Sequence, residues 1–165
     1  MAGRALRMHS NKVLIDGVRV KEISVYVDDR GIVAEIVRAD DPIYAGRFGQ
    51  VYYATCNPGV TKAWHYHKIH TDVLYCIHGA TKLCLVDDRE GSPTRGVTNV
   101  FVLNEFNQMA VRVPPGVLHG QMCLGQIPCI LLNVQSHVYD PADEFKVDPF
   151  DERYGGRNLW SVKSC

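Results

Sequence analysis

The sequence predicts an all-β fold, an antiparallel sandwich or barrel with little helix. About ten short runs rich in β-branched and aromatic residues are separated by Gly, Pro, Asn or Asp, and no amphipathic helical pattern lies between them. The chain has 165 residues, of which 46% are hydrophobic, so it can build the core of one domain.

The predicted strands follow one another closely. Asp16-Gly17 is a strong hairpin signal between runs at 12–15 and 18–27, and residues 28–31 turn the chain into a run at 32–37. The further runs lie at 48–56, 63–67, 73–77, 81–86, 97–103, 109–113, 117–124 and 129–134. After Tyr139 an acidic tail containing Trp160 is interpreted either as a short helix or as an extended wrap. We expect a single domain over 1–165, with N-terminal strands at about 10–40, a core barrel at about 45–140 and a tail at 141–165.

Charge and cysteine content exclude several classes of protein. Eighteen basic residues balance eighteen acidic ones, so no global field attracts nucleic acid or a membrane surface. No apolar run approaches the roughly 20 residues that cross a bilayer, and the N-terminus lacks the apolar segment of a secretion signal. Six cysteines without a CxxC pair favour reduced core thiols. We therefore expect a cytoplasmic protein.

The densest group of candidate ligands lies at 63–72. His65 and His67 are two apart in a predicted strand, so their side chains leave the same face. Asp72 follows a polar stretch that can turn the chain and place a carboxylate at the same end of the barrel as the two histidines. His119 follows the rigid turn at 114–116. Such a set suits one divalent transition metal, Zn, Fe(II), Mn or Ni, with one or two positions open. A pair of histidines in a strand is weak evidence by itself, and core histidines are the simpler alternative.

Other conspicuous residues have simpler interpretations. We expect His70 to be a turn or surface residue and the run at 87–89 to be a solvated turn. Four aromatic residues are interpreted as packing residues, namely Tyr52, Trp64, Tyr66 and Tyr75.

Two motifs resemble those of the cupin superfamily. The first matches at Gly59, His65, His67, Asp72 and Gly79, with Asp where Glu is usual. The second matches at Pro114, Gly116 and His119. In cupins these motifs come from facing strands and converge inside a double-stranded β-helix, or jelly-roll barrel. The resemblance implies this fold, with His65, His67, Asp72 and His119 as a metal-ligand set.

A narrower resemblance, over about residues 25–160, is to the dTDP-4-dehydrorhamnose 3,5-epimerase family. Its short motifs occur in order at Asp29-Arg30-Gly31 with Glu35, at 62–67, at 87–96, at Leu103 with Asn107, at 114–120, and at Tyr139 with Pro141. The resemblance implies an isomerase that acts on a nucleotide-linked sugar. It also implies a homodimer that exchanges N-terminal strands, and no metal cofactor.

The resemblance to the epimerases assigns roles to individual residues. His65 matches the base that removes the proton next to the 4-keto group, a role for which the pKa of imidazole is well placed. His119 matches a second active-site histidine, and Lys62 replaces an arginine that contacts substrate. Arg30 and Glu35 match residues that bind the nucleotide. Three further candidate substrate contacts are Asn133, His137 and Tyr139.

Three departures leave alternatives open. Asn133 stands where the family has its proton-donating tyrosine, the carboxylate that orients the base is expected from a segment beyond Cys165, and Asp72 and His67 stand where the family has Lys and Gln. The predicted function is a sugar-nucleotide epimerase or ketoisomerase. The alternatives are a metal-dependent cupin enzyme acting on a small carbonyl or carboxylate substrate, and a non-catalytic sugar-binding cupin.

Overall fold

The computed structural model describes residues 13–162 as two facing antiparallel sheets and a separate hairpin. The strands are β1 (Arg19–Glu22), β2 (Val25–Asp28), β3 (Gly31–Ala34), β4 (Gln50–Cys56), β5 (Thr61–Tyr66), β6 (Asp72–His78), β7 (Thr81–Val86), β8 (Thr98–Leu103), β9 (Met109–Val113), β10 (Leu118–Cys123), β11 (Cys129–Gln135) and β12 (Phe145–Lys146). Two 3₁₀ turns, Pro141–Asp143 and Glu152–Tyr154, and one short helix, α1 (Gly156–Leu159), complete the described chain.

The two large sheets form a jelly-roll sandwich, which confirms the predicted all-β class. Sheet I has the order β1-β9-β6-β11-β4, and sheet II has the order β12-β5-β10-β7-β8. The side chains that alternate toward the inside form an apolar core that includes Leu83, Phe101 and Val111. Within residues 13–162, no helix has the length and apolar character needed to cross a membrane.

The N-terminal strands differ in part from the prediction. The turn at Asp16-Gly17 forms, and Val18 N donates to Ile15 O at 3.0 Å. The predicted hairpin is wrong, however, because Ile15 N donates to the side chain of Asn99 at 3.0 Å and β1 pairs with β9. The start of the predicted run, Lys12, lies outside the described residues. The turn at 28–31 is confirmed, since β2 and β3 pair as a hairpin around it.

The run at 87–89 is not the solvated turn that we expected. The Asp87 side chain is buried and accepts hydrogen bonds from Arg89 Nε at 2.8 Å and from the hydroxyls of Ser92 and Thr94, each at 2.6 Å. Burial would raise the pKa of Asp87, yet these hydrogen bonds hold it well below its usual range. Asp87 therefore fixes the loop between β7 and β8.

The C-terminal tail is a wrap that contains a short helix. β12 adds to the edge of sheet II by pairing with β5. Beyond it, Trp160 is buried against Trp64 of β5, with ring centroids 4.9 Å apart, and its Nε1 donates to Pro149 O at 2.9 Å. The tail thus supports the strand that carries His65.

Candidate active site

A cavity of about 360 Å³ lies between the two sheets. Sheet II contributes Lys62 and His65 from β5 and His119 from β10, while sheet I contributes Asn133 from β11. These four residues were all candidates from the sequence. A volume of this size lies within the range of ordinary small-molecule sites.

The strand register brings the predicted histidines together. His65 and His119 are directly opposite each other in the β5–β10 pair, and their ring centroids are 4.1 Å apart. The ring of His67 lies 5.6 Å from that of His65 and 5.7 Å from that of His119. We call His65, His67, His70 and His119 the imidazole cluster.

Gly120 permits the close approach of the two strands that carry His65 and His119. A β-carbon at position 120 would lie 2.2 Å from Ala63 Cβ, a distance that no side chain can adopt. The glycine is therefore required by packing against β5 rather than by its backbone angles.

Hydrogen bonds fix how two of the imidazoles are oriented. The Nδ1 of His67 donates to Asp143 O at 2.7 Å, and the Nδ1 of His119 donates to Val117 O at 3.0 Å, because a carbonyl oxygen can only accept. In the neutral rings the Nε2 atoms therefore carry lone pairs. The Nε2 of His119 is buried and has no hydrogen-bond partner among residues 13–162.

Asp72 is buried beside these two rings. Its Oδ2 lies 3.4 Å from His119 Nε2 and 3.7 Å from His67 Nε2. Its Oδ1 accepts hydrogen bonds from Asn133 Nδ2 at 2.7 Å and Gln135 Nε2 at 2.8 Å. Two amides thus hold the carboxylate behind the cavity wall.

His70 was expected to be a turn or surface residue; it lies in the connection between β5 and β6, but it is not on the surface. The ring is buried and stacks on His67 at 3.6 Å between centroids, while its Nδ1 lies 3.2 Å from Asp143 Oδ2. Burial opposes ionisation of Asp143, but hydrogen bonds from the backbone amides of Lys68, Ile69 and His70 lower the pKa of this carboxyl. Sequence spacing gave no sign of His70, because its partner Asp143 lies in the tail.

Burial keeps the histidines of the cavity uncharged at neutral pH. It lowers the pKa of His65 well below its usual value, and the neighbouring imidazoles and Lys146 lower it further. Burial also lowers the pKa of His119, although the nearby Asp72 carboxylate opposes this shift. A neutral imidazole at the cavity wall can accept a proton from a bound molecule.

Charged groups from the tail also line the cavity. Lys146 lies opposite His65 in the β5–β12 pair, and its Nζ lies 3.4 Å from Glu144 Oε2. Tyr139 donates its hydroxyl to the same Glu144 oxygen at 3.2 Å. The ammonium of Lys62 donates to Thr55 O at 2.6 Å. The sequence analysis missed Glu144 and Lys146, because β12 is too short for a recognisable strand pattern.

Tyr52 is a third residue whose place in the site the sequence analysis missed. It was interpreted as a packing residue, but it lines the cavity from β4. Its hydroxyl accepts a hydrogen bond from Asn133 Nδ2 at 2.9 Å. The alternation of β4 predicts that Tyr52 and Tyr53 face opposite sides, but only the sheet packing shows which side is the cavity.

Four predicted substrate-binding residues do not line this cavity, namely Arg30, Glu35, His137 and Tyr139. The Arg30 side chain is 90% exposed in the turn between β2 and β3, where it pairs with Asp28. Glu35 pairs with Arg38, and His137 contacts the hydroxyl of Ser136. The functional roles of these four residues stay predictions.

Comparisons with known proteins agree with this geometry. A family profile described as dTDP-4-dehydrorhamnose 3,5-epimerase matches residues 12–161. The spore coat polysaccharide biosynthesis protein SpsL of Bacillus subtilis is 38% identical over 152 residues, which cover 91% of this chain and 99% of that protein. The probable low-salt glycan biosynthesis epimerase Agl13 of Haloferax volcanii is 36% identical over 130 residues, which cover 78% of this chain and 83% of that protein.

A solved structure with a bound sugar nucleotide has the same fold. It is ChmJ, a 3'-monoepimerase from Streptomyces bikiniensis, in complex with dTDP-quinovose. The TM-score is 0.78 and the identity is 27%, over 87% of this chain and 75% of that one. The jelly-roll fold is therefore shared with an epimerase of known structure.

Proposed function

The chain belongs to the dTDP-4-dehydrorhamnose 3,5-epimerase family, and from this premise we propose that it inverts a carbon centre next to the keto group of a nucleotide-linked sugar. The observation that carries the proposal is the place of His65 on the wall of a cavity between two sheets, where desolvation lowers the pKa of its imidazole. A half-buried base of this kind can remove the acidic C–H proton next to a carbonyl.

His65 is the base in this proposal. The C–H bond next to the keto group breaks, its proton goes to the His65 imidazole, and the electron pair moves onto the carbonyl oxygen as an enolate. The negative charge that develops on that oxygen needs a positive or donating group nearby. Lys62 lies on the same strand as His65 and lines the same cavity, so its ammonium is the proposed partner of the enolate.

The cavity also carries charges suited to the nucleotide part of the substrate. Lys62 and Lys146 both line it, although the whole chain has a formal net charge of zero. A diphosphate linkage is attracted to two ammonium groups at short range. Glu144 and Tyr139, which hydrogen-bond each other beside Lys146, are the proposed contacts to sugar hydroxyls.

Exchange of substrate hydrogen for solvent deuterium tests this function. The purified protein is incubated in D₂O with dTDP-4-dehydro-6-deoxyglucose, the sugar named for a 3-epimerase relative, and deuterium at the carbons beside the keto group is followed by NMR. We expect incorporation with the unmodified protein. His65→Ala should lower its rate by about 10²- to 10⁴-fold, the usual contribution of a positioned base.

His78→Ala is the matched control, since this histidine is exposed at the end of β6 and does not line the cavity. It should exchange at the unmodified rate. If the unmodified protein binds the nucleotide sugar saturably but exchanges no hydrogen, the result would favour the non-catalytic sugar-binding alternative. Undiminished exchange by His65→Ala would exclude this histidine as the base.

The comparisons do not favour the alternative of a metal-dependent cupin enzyme, but one feature of the site is compatible with it. The ligand nitrogens of His65, His67 and His119 lie within 4.8 Å of one another, and His119 Nε2 is buried without a partner. These three imidazoles fit one divalent cation, with Asp72 adjacent. A bound Zn, Fe(II), Mn or Ni ion would polarise a substrate carbonyl.

Metal analysis separates the two candidates. The epimerase proposal predicts less than stoichiometric metal in the purified protein and full deuterium exchange after dialysis against EDTA. One metal ion per chain, together with loss of activity on chelation and its return on adding the metal, would favour the metal-dependent alternative.

We further propose that the protein is a homodimer that uses the β2–β3 hairpin. This hairpin exposes Tyr26, Val27, Ile32 and Val33, an apolar surface larger than isolated exposed residues require. Arg30 lies in its turn, so a second copy would bring this guanidinium toward another cavity. Light scattering should report two chains per particle, and Val33→Asp should yield monomers, whereas an unmodified protein that runs as a monomer would contradict this.

A reducing compartment is the proposed location. The five cysteines within residues 13–162 are all buried and free, as expected for a cytoplasmic protein. Mass spectrometry after alkylation under denaturing, non-reducing conditions should find these thiols modified. Disulfides in the protein isolated from its native source would contradict this location.

A further inference from the structure

We propose that Tyr52 donates the proton that completes the inversion, to the face of the sugar opposite His65. This inference rests on the proposed function and adds to it the second of the two proton-transfer groups. Inversion requires that a proton leaves on one face of the carbon and arrives on the other. A single base can only return the proton to the face from which it came.

The two side chains stand on opposite walls of one cavity. His65 belongs to β5 of sheet II, and Tyr52 belongs to β4 of sheet I. Both line the cavity between the sheets. A sugar ring held between the walls therefore presents one face to the imidazole and the other to the phenol.

A partly buried hydrogen bond positions the hydroxyl of Tyr52, a residue that is 41% exposed. Asn133 lies directly opposite Tyr52 in the β4–β11 pair, and its Nδ2 has two hydrogens. One is donated to Asp72 Oδ1 at 2.7 Å, and the other to the Tyr52 hydroxyl at 2.9 Å. Since the Asp72 carboxylate can only accept, the amide must present its nitrogen, and the tyrosine oxygen must accept from it.

The hydroxyl proton of Tyr52 is left for a bound molecule. In the part of the chain described, the hydroxyl makes one side-chain hydrogen bond, and in it the oxygen is the acceptor. A phenol oxygen that accepts on one side directs its own O–H to the other side. Because Tyr52 lines the cavity, this proton is available to a molecule bound there.

The Tyr52 phenol keeps its proton at neutral pH, because desolvation of its hydroxyl raises its pKa. It can therefore act as a proton donor.

The proton balance of the step closes without a further reactant. The C–H bond breaks and an N–H bond forms at His65, and then the O–H bond of Tyr52 breaks and a C–H bond forms on the other face. The enzyme is left with an imidazolium and a phenolate. Loss of one proton to water from His65 and gain of one by Tyr52 restore it.

The arrangement also gives Asn133 a role. It lies directly opposite Tyr52 on the adjacent strand, and its amide holds the phenol in place.

The test compares Tyr52→Phe with Tyr53→Phe in D₂O, using dTDP-4-dehydro-6-deoxyglucose. NMR follows both deuterium incorporation and the configuration of the exchanged carbon. For Tyr52→Phe we expect inversion to slow by about 10²- to 10⁴-fold, while deuterium still enters with retained configuration, because His65 can remove and return a proton on its own face. Tyr53 points away from the cavity and is 67% exposed, so Tyr53→Phe should behave as the unmodified protein.

The outcomes separate this inference from the function on which it rests. Inversion by Tyr52→Phe at the unmodified rate would overturn the inference alone. The inference would also be overturned if Tyr52→Phe lost both hydrogen exchange and inversion while its thermal midpoint matched that of Tyr53→Phe. The hydroxyl would then be needed for proton removal. No exchange by the unmodified protein would overturn the proposed function and the inference together.

Discussion

Trp160→Ala tests how strongly the C-terminal wrap stabilises the wall that carries His65. Trp160 is 4% exposed and packs on Trp64, the residue before His65 in β5. A tryptophan buries about 150–250 Å², so at about 25 cal/mol per Å² its removal costs about 4–6 kcal/mol. Loss of the hydrogen bond to Pro149 O adds about 1 kcal/mol.

The measured effect should be somewhat smaller than this sum. The unfolded chain already buries part of its apolar surface, and the short helix can detach without unfolding the sheets. We therefore expect the free energy of unfolding to fall by about 3–5 kcal/mol, the usual range for a buried tryptophan replaced by alanine.

Urea unfolding followed by far-UV circular dichroism measures the change. Trp160→Phe keeps an aromatic ring against Trp64, so its free energy of unfolding should fall by less than half as much. Val162 is 63% exposed, so Val162→Ala should leave the free energy of unfolding almost unchanged. Hydrogen exchange should show faster opening at 148–162 in Trp160→Ala. A Trp160→Ala protein as stable as Val162→Ala would refute the idea that the wrap stabilises the β5 wall.

Three further predictions follow from burial. The imidazole cluster includes rings whose pKa values are lowered by burial. Because these rings take up protons more readily in the unfolded state, the free energy of unfolding should be highest above about pH 6.5 and should fall as the pH drops below it. A thermal midpoint at pH 5.5 equal to or above that at pH 7.5 would contradict this. Asp87→Asn leaves the Arg89 guanidinium without its carboxylate and should cost on the order of 3 kcal/mol in urea unfolding, whereas an unchanged denaturation midpoint would show that the loop needs no charge. Gly120→Ala forces β10 away from Ala63 and should cost at least about 1–3 kcal/mol, while Gly125→Ala, where the nearest atom is 3.8 Å from the added carbon, should unfold at nearly the unmodified denaturant concentration.

The sequence by itself predicted most of the strands, because their signals are local. Alternating apolar residues and turn residues placed β4 to β11 within about two residues of their observed ends. The same alternation put His65 and His67 on one face, and the motifs indicated His119 as their partner. The local pattern gave a wrong prediction where a residue distant in sequence makes the contact. The backbone amide of Ile15 donates to the Asn99 side chain, and the hairpin expected at Asp16-Gly17 does not form.

Only the tertiary structure shows which side chains from different strands line the cavity together. The pairing of β4 with β11 places Tyr52 opposite Asn133, and the two-residue strand β12 brings Glu144 and Lys146 to the cavity. None of these contacts has a short-range signature, because each depends on which sheet edges meet and which faces turn inward. Strand periodicity fixes where a side chain points relative to its neighbours along the chain. What stands across the cavity from it is fixed by the packing of the two sheets.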